Sequence, residues 1–192
     1  SGTASRLNSV GISSTLVKKP KEAKEGEKLM QGIFGPSFDY YAIRERRREL
    51  VRERLAQYGL EKKPGVEETL RFLRAKGIKT AVATATALDI TKSHLTTIGV
   101  CDLFDSIVSA KNVAHGKPEP DVYLYACEQI GERPQDCMAV EDSPNGIMAA
   151  YRAGLRTVMV PDLTQPDEEL TKYLYACVNS LSDLCELVDK ED

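Results

Sequence analysis

The sequence predicts an α/β protein in which helices cover both faces of a parallel sheet. Strand-like and helix-like segments alternate five times after Gly65, with short connections between them. Several of the helix-like segments are followed by glycine, which commonly terminates a helix. Polar clusters come directly after three strand-like segments, and ligands bind at that edge of open α/β sheets. Together these observations favour a sheet with one functional edge.

The individual elements follow from apolar runs and from the glycines that separate them. Crossovers between parallel strands are right-handed in about 98% of cases, so we expect the carboxyl ends of the strands to share one edge. Helices are predicted at 66–76, 88–98, 120–130, 144–153 and 181–188, and strands at 80–83, 106–109, 137–140 and 157–160, with a weak strand near 176–178.

The beginning of the chain has a different character. Residues 1–36, the first part of which is rich in Ser, Gly and Lys, are predicted to be an atypical or flexible lead-in. Residues 37–61 are predicted to be helical, with one helix at 39–59, and residues 62–192 to form the α/β core. The charges of that helix are dense between Arg44 and Glu49. These charged residues fit either a solvated helix face with internal ion pairs or a basic surface that faces an anionic substrate.

Composition narrows the classes of partner and location. The net charge of −3 gives no electrostatic reason to expect nucleic acid as a partner. The apolar runs, such as 158–160, are short, which argues against membrane insertion. The five cysteines are odd in number and show no CxxC spacing, so we expect free thiols in a reducing, cytoplasmic compartment.

The first polar cluster is Thr84-Ala85-Thr86, at the end of a predicted strand. A hydroxyl and backbone N–H groups at a strand-to-helix turn suit phosphate oxygens. Threonine is also common within strands, so this cluster alone is weak. The second cluster, at 116–121, holds Lys117 between Gly116 and Pro118. A lysine framed in this way can neutralise a phosphate and a carboxylate together.

The third cluster contains two adjacent acids, Glu141 and Asp142, after the strand at 137–140. Mg²⁺ takes oxygen ligands and often uses one or two carboxylates together with phosphate. A simpler interpretation is that Asp142 or Ser143 caps the following helix, which would explain one polar residue but not the acid pair. The three clusters are spaced by about one strand–helix unit each, so they should come from successive strands.

Residues 62–188 resemble the haloacid dehalogenase superfamily, in particular its β-phosphoglucomutase-like and sugar-phosphate phosphatase branch. The resemblance is carried by Thr84, by Lys117 within Gly-Lys-Pro-Glu-Pro-Asp, and by Glu141-Asp142-Ser143. It implies a Rossmann-like sheet, with 36–59 as the remnant of a small helical cap. It further implies that Thr84, Ala85 and Lys117 bind phosphate, that Lys117 is catalytic, and that Glu141 and Asp142 hold Mg²⁺.

The chain departs from that family at the catalytic aspartates. The family carries Asp-x-Asp near its N-terminus, where the first aspartate is the nucleophile and the second the general acid/base. Here the first aspartate is Asp39, and no Asp-x-Asp occurs. We therefore expect a truncated, rearranged or incompletely represented member. The resemblance implies a Mg²⁺-dependent phosphomonoester hydrolase or sugar-phosphate mutase that is inactive in this form.

An alternative of a different class is a non-catalytic protein that binds phosphate or metal, or mediates an interaction. For either function the expected partner is a small phosphorylated metabolite such as a sugar phosphate. We expect neither nucleic acid nor membrane as a partner, and a monomer or homodimer.

By family analogy the strand before the missing motif lies in the middle of the sheet, between the strands that lead to Thr84 and Glu141. An empty slot there would expose two rows of unpaired backbone groups, at about 1–3 kcal/mol for each buried group. Residues 7–17 are the candidates to fill it, since a tethered segment loses less entropy than a separate chain. A strand from a partner chain and a collapsed sheet are the other possibilities. The serines of the segment fit poorly where both faces should be apolar.

Overall fold

A six-stranded parallel sheet forms the centre of the protein. The structure, a computed structural model, describes residues 7, 9–12, 23–60, 62–162 and 164–190. The strand order is β3-β2-β1-β4-β5-β6, and every neighbouring pair is parallel. The strands are β1 (Ser9–Ile12), β2 (Lys79–Thr84), β3 (Ser106–Ser109), β4 (Cys137–Glu141), β5 (Arg156–Met159) and β6 (Ala176–Cys177).

Most of the strands are connected by helices, as the alternation predicted. The predicted helices differ from the observed ones by only one residue at their ends, whereas two helices, α1 and α7, were not predicted. The helices are α1 (Ala23–Phe34), α2 (Tyr40–Tyr58), α3 (Val66–Ala75), α4 (Leu88–Thr97), α5 (Asp121–Ile130), α6 (Pro144–Arg152), α7 (Glu168–Thr171) and α8 (Leu181–Asp189).

Strand β1 occupies the central slot between β2 and β4. Val10 lies opposite Thr80 of β2 and Met138 of β4. The edges of β2 and β4 that face the central slot are therefore both paired with β1. The prediction that residues 7–17 contribute the central strand is confirmed over 9–12. Residues 8 and 13–17 of that segment lie outside the described part of the chain. The predicted poor fit is visible at Ser9, a hydroxyl-bearing residue that is buried in the sheet.

Alternate residues of the strands face two separate layers of helices. On one face, Ala81 and Ala139 pack in a cluster with Val122 and Ala126 of α5 and with residues of α6. On the other face, Val10 and Met138 pack with residues of α3 and α8. The alternation matches the period of two along a strand. The predicted arrangement of helices on both faces of a parallel sheet is thereby confirmed.

The chain divides into two compact units. One combines β1 with the elements from α3 onward, and the other contains α1 and α2. This division differs from the predicted boundaries of 1–36, 37–61 and 62–192, because β1 belongs to the sheet and α1 lies within the predicted lead-in. The physical reason is that β1 satisfies two strand edges at once, a long-range effect that local composition does not show.

Helix α2 carries its charges as predicted, and several pair within the helix. Arg46 lies 3.1 Å from Glu49 and 3.5 Å from Glu53, and Arg48 pairs with Glu45. All of these side chains are more than half exposed. Such pairs favour the interpretation of α2 as a solvated helix face.

Two further observations concern compartment and membrane. The five cysteines are all free thiols. Over the part of the chain that the structure describes, no helix combines the length and apolarity needed to cross a bilayer.

Candidate functional site

The polar side chains predicted for the site meet at the carboxyl ends of β2 and β4. Thr84 ends β2 and is buried, and its Oγ1 accepts a hydrogen bond from the Thr86 amide at 3.0 Å. Ser109, at the end of β3, donates its hydroxyl to the Thr86 carbonyl at 2.7 Å. The turn that contains Ala85 is thus held on both sides, and Ala85 itself is half-buried.

Lys117 connects this turn with the acidic cluster. Its side chain is 6% exposed, and its Nζ donates to Glu141 Oε1 at 2.6 Å and to the carbonyl of Ala83 at 3.1 Å. Ala83 directly precedes Thr84, so one ammonium group bridges the ends of β2 and β4. The structure therefore brings together Lys117, Glu141 and the β2 turn, which are more than twenty residues apart in sequence.

Glu141 is fully enclosed, with no exposed side-chain surface. Its Oε2 lies 3.3 Å from the Asp142 amide and 3.4 Å from Ser143 Oγ. On its other side is Gly146 of α6, where an added Cβ would come within 2.0 Å of the Glu141 carboxyl carbon. Glycine at 146 therefore makes the space in which the carboxylate lies.

Ser143 caps α6, since its hydroxyl accepts a hydrogen bond from the Gly146 amide at 3.2 Å. The alternative interpretation of the acidic cluster as a helix cap therefore holds for Ser143. It does not account for Glu141, whose carboxylate contacts Lys117 instead. Asp142 is half-buried next to Glu141.

The loop that carries Lys117 is held by two flanking contacts. Arg152 of α6 donates to the Pro118 carbonyl at 3.1 Å and to Glu119 at 3.0 Å. The His115 amide and ring both lie 3.1 Å from the Asp121 carboxylate. These contacts fix both ends of the loop and so restrict the positions available to the Lys117 side chain.

Sequence reasoning missed one residue of the site, Tyr123. This residue of α5 is 1% exposed, and its hydroxyl donates to Glu141 Oε1 at 2.5 Å. The Lys117 Nζ lies 3.3 Å from the same hydroxyl and 4.7 Å from the centre of the ring. In the sequence Tyr123 occupies an apolar position of a predicted helix, a pattern that is equally typical of a core tyrosine.

Two acidic residues of the site, Glu141 and Asp142, are the candidate ligands for Mg²⁺. Within the described residues no group of three or more His, Cys, Asp and Glu side chains lies together. Glu141 and Asp142 are nevertheless adjacent acids at the end of β4, and Mg²⁺ often takes one or two carboxylates and completes its octahedron with water and phosphate. Lys117 and Tyr123 both donate to Oε1 of Glu141, so a metal bound at that oxygen would compete with them. By the chemistry of their oxygens, Asp142 and Glu141 are residues that could hold Mg²⁺.

Comparison with known proteins agrees with this geometry. Residues 18–160 match the family model described as haloacid dehalogenase-like hydrolase. The chain is 40% identical to YhcW of Bacillus subtilis over 116 residues, which cover 59% of this chain and 53% of that protein. It is 33% identical to hexitol phosphatase B of Escherichia coli over 128 residues, or 67% of this chain and 56% of that protein.

A third relative is named a probable pseudouridine-5'-phosphatase of Drosophila melanogaster, with 36% identity over 156 residues, 77% of this chain and 64% of that protein. The chain thus spans between about half and two thirds of the length of these relatives.

Solved structures share the fold at low sequence identity. A β-phosphoglucomutase from Clostridium difficile superposes with a TM-score of 0.70 at 18% identity, and the match covers 96% of both chains. CbbY from Rhodobacter sphaeroides, solved in complex with phosphate, gives a TM-score of 0.63 at 23% identity over 93% of this chain and 96% of that one. The match of the family model to most of the chain is the decisive observation: this protein belongs to the haloacid dehalogenase-like hydrolase family.

Proposed function

We propose that the edge formed by β2 and β4 binds the phosphate group of a small phosphorylated metabolite, and that the site is of the Mg²⁺-dependent phosphomonoester hydrolase or phosphomutase type. The observation that carries the proposal is the Lys117 ammonium between Glu141 and the end of β2. A sugar phosphate is the favoured ligand, since the relatives named above include a hexitol phosphatase and a pseudouridine-5'-phosphatase.

In this proposal each residue has a defined task. The Lys117 ammonium neutralises negative charge on the phosphoryl group, and it does so in a water-poor site where electrostatic interactions are strong. The Thr84 hydroxyl and the Ala85 amide donate to phosphate oxygens at the end of β2. Asp142, with Glu141 beside it, would hold Mg²⁺. When bound, the metal would supply further positive charge to the phosphate oxygens.

The covalent step is not assigned to a residue of this chain. In the proposed hydrolase chemistry an aspartate attacks the phosphoryl group, but the 192 residues contain no Asp-x-Asp. This observation favours a second candidate function, in which the chain binds phosphate or metal without turnover or acts as an interaction protein. Phosphate binding is common to the hydrolase proposal and the phosphate-binding form of the alternative.

Calorimetric titration with orthophosphate, with and without Mg²⁺, tests the shared step. We expect binding to weaken by at least about tenfold in Lys117→Met, since hydrogen bonds to charged groups are worth about 1.5–3 kcal/mol. Lys111→Met is the matched control, because Lys111 is an exposed lysine in the same connection between β3 and α5. Equal phosphate affinity in the parent and Lys117→Met would contradict the proposal.

The Lys117→Met variant leaves the Glu141 carboxylate buried without its ammonium, which is destabilising. The double variant Lys117→Met/Glu141→Gln removes both charges and separates a loss of binding from a loss of fold. To test the substrate class, a hexose 6-phosphate is compared with the unphosphorylated hexose. Equal binding of the two sugars would argue against phosphate as the recognised group.

A further inference from the structure

The Tyr123 side chain touches both members of the buried ion pair. Its hydroxyl donates to Glu141 Oε1 at 2.5 Å, and Lys117 Nζ donates to the same oxygen at 2.6 Å. The same Nζ lies 3.3 Å from the Tyr123 hydroxyl and 4.7 Å from the centre of its ring. The tyrosine is 1% exposed, so its side chain is shielded from bulk water.

We propose that Tyr123 is a positioning residue of the phosphate site, which holds the Glu141 carboxylate and thereby leaves Lys117 able to turn toward a phosphate oxygen. The reason lies in the balance of charges at the site. In the structure one ammonium is matched by one buried carboxylate. A phosphate that recruits Lys117 must share that ammonium with Glu141, and a buried carboxylate with too few donors is costly.

The tyrosine hydroxyl offsets this cost. When Lys117 moves toward phosphate, the hydroxyl still donates to Oε1, so the carboxylate keeps a hydrogen bond at the oxygen that the lysine partly leaves. Hydrogen bonds to charged groups are stronger than those between neutral groups. The hydroxyl also accepts a hydrogen bond from Lys117 Nζ at 3.3 Å, which keeps the ammonium near the end of β2.

Neighbouring residues restrict the Glu141 carboxylate to this position. Gly146 leaves room for it only by lacking a Cβ. The ring of Tyr123 also packs near the central strand, since a Cβ added at Gly11 would lie 3.8 Å from its Cε1 atom. Tyr123 is therefore held between β1 and the site, and its hydroxyl has a fixed direction.

The substitution Tyr123→Phe tests the proposal, because it removes one oxygen and keeps the ring. The matched control is Tyr125→Phe, the same change two residues later on α5 at a half-buried position. We expect orthophosphate to bind about tenfold more weakly to Tyr123→Phe and with unchanged affinity to Tyr125→Phe. Circular dichroism and thermal unfolding check that both variants are folded.

The phosphate titration rests on the proposed function. A second measurement does not require phosphate to bind. The side-chain ammonium of Lys117 is observed by ¹⁵N NMR and assigned by its loss in Lys117→Met. We expect the signal to shift, and its protons to exchange faster with water, in Tyr123→Phe but not in Tyr125→Phe. A purely packing role of the tyrosine would not change this signal, since the ring is retained.

The outcomes are distinguishable. If the parent binds no phosphate but the Lys117 signal moves in Tyr123→Phe, the proposed function fails, while the role of Tyr123 in positioning the Lys117–Glu141 pair stands. If the signal is the same in the parent and Tyr123→Phe, or if the parent binds phosphate and Tyr123→Phe binds it equally well, the positioning role is overturned. It is also overturned if Tyr123→Phe does not fold, because the hydroxyl would then serve the fold instead of the site.

Discussion

The Lys117–Glu141 pair is buried, and this determines how substitutions at the site should be interpreted. Removing one partner of such a pair typically costs about 3–5 kcal/mol, because the other charge is left uncompensated, whereas replacing both can be tolerated. A single variant at Lys117 or Glu141 therefore mixes a change of stability with a change of binding. Substitutions at uncharged neighbours keep both charges and test how the pair is packed.

Gly146 is such a residue. In Gly146→Ala the new Cβ would lie 2.0 Å from the Glu141 carboxyl carbon, so the carboxylate must move and loses its contact with Lys117. We expect a loss of about 1–3 kcal/mol in the free energy of unfolding, the usual cost of overpacking, together with weaker phosphate binding. Urea denaturation and phosphate titration measure the two effects.

The control for Gly146→Ala is Gly32→Ala in α1. Nothing lies within 4 Å of a Cβ added at Gly32, and alanine in a helix interior is roughly 0.5–1 kcal/mol more favourable than glycine. We therefore expect Gly32→Ala to leave the protein equally or more stable. An equal loss of stability in the two variants would show that the packing of Glu141 against α6 is not the cause.

Asp142 is predicted to be the principal protein ligand of Mg²⁺, with Glu141 beside it. The change Asp142→Asn removes the charge and keeps the shape, so we expect Mg²⁺ affinity to fall by about tenfold or more. The affinity of the parent should itself be weak, since the described residues supply only two neighbouring carboxylates. Calorimetry measures both. Asp102→Asn, at an exposed residue before β3, is the control.

Micromolar binding of Mg²⁺ that is unchanged in Asp142→Asn would contradict the assignment of Asp142. Binding that is lost in Asp102→Asn as well would indicate a general effect of charge instead of a site.

At the level of elements, β1 is the strand on which the sheet depends. It is only four residues long, yet it pairs with both β2 and β4. Val10 is fully buried at its centre. We expect Val10→Ala to lower the free energy of unfolding by about 2–3 kcal/mol through lost apolar burial and the cavity left behind. Denaturant unfolding measures this change.

Ile33→Ala in α1 is the comparison, since Ile33 is 62% exposed and surface substitutions usually change stability by less than about 0.5 kcal/mol. If Val10→Ala has as little effect as Ile33→Ala, β1 contributes little to the sheet in solution. In that case an occupant other than β1 would have to fill the central slot.

The elements differ in how well the sequence predicts them, and the reason is physical. Strands β2, β4 and β5 are short apolar runs that follow helices ended by glycine, so local pattern is sufficient. Strand β1 contains Ser9 and Gly11, and only its position between two strands explains why it is extended. The prediction that residues 7–17 contribute a strand therefore rested on the empty central slot together with the few apolar residues of the segment, and α1 was not predicted.

The same limit applies within the site. Lys117, Glu141 and Thr84 were predicted as site residues because three polar clusters follow successive strands and together resemble the family's motifs. The structure places Lys117 against Glu141 and the end of β2. That arrangement agrees with the prediction, while the roles in phosphate and metal binding remain proposals. Tyr123 was missed because hydrophobic periodicity shows that a residue faces the core but not where its hydroxyl points.

At the scale of the whole molecule, family membership and catalytic capacity are separate questions. The family model covers residues 18–160, which include the elements that carry Lys117, Glu141 and Asp142. The groups that would position and neutralise a phosphoryl group are therefore present. The sequence contains no Asp-x-Asp, so the attack on the phosphoryl group is not assigned to a residue of this chain.

We expect the 192-residue chain to hydrolyse p-nitrophenyl phosphate in the presence of Mg²⁺ no faster than the buffer. Electrostatic stabilisation lowers the barrier only for a reaction that has a nucleophile in place, and formation of an aspartyl-phosphate requires the carboxylate that attacks. Release of p-nitrophenolate, followed at several Mg²⁺ concentrations, measures turnover.

Lys117→Met serves as the control, since it removes the positioning charge but leaves contaminating phosphatases unaffected. Equal and negligible rates in the parent and in Lys117→Met are the expected result. Turnover in the parent that disappears in Lys117→Met would mean that another residue of this chain attacks the phosphoryl group at the same site, and it would decide between the two candidate functions in favour of the enzyme.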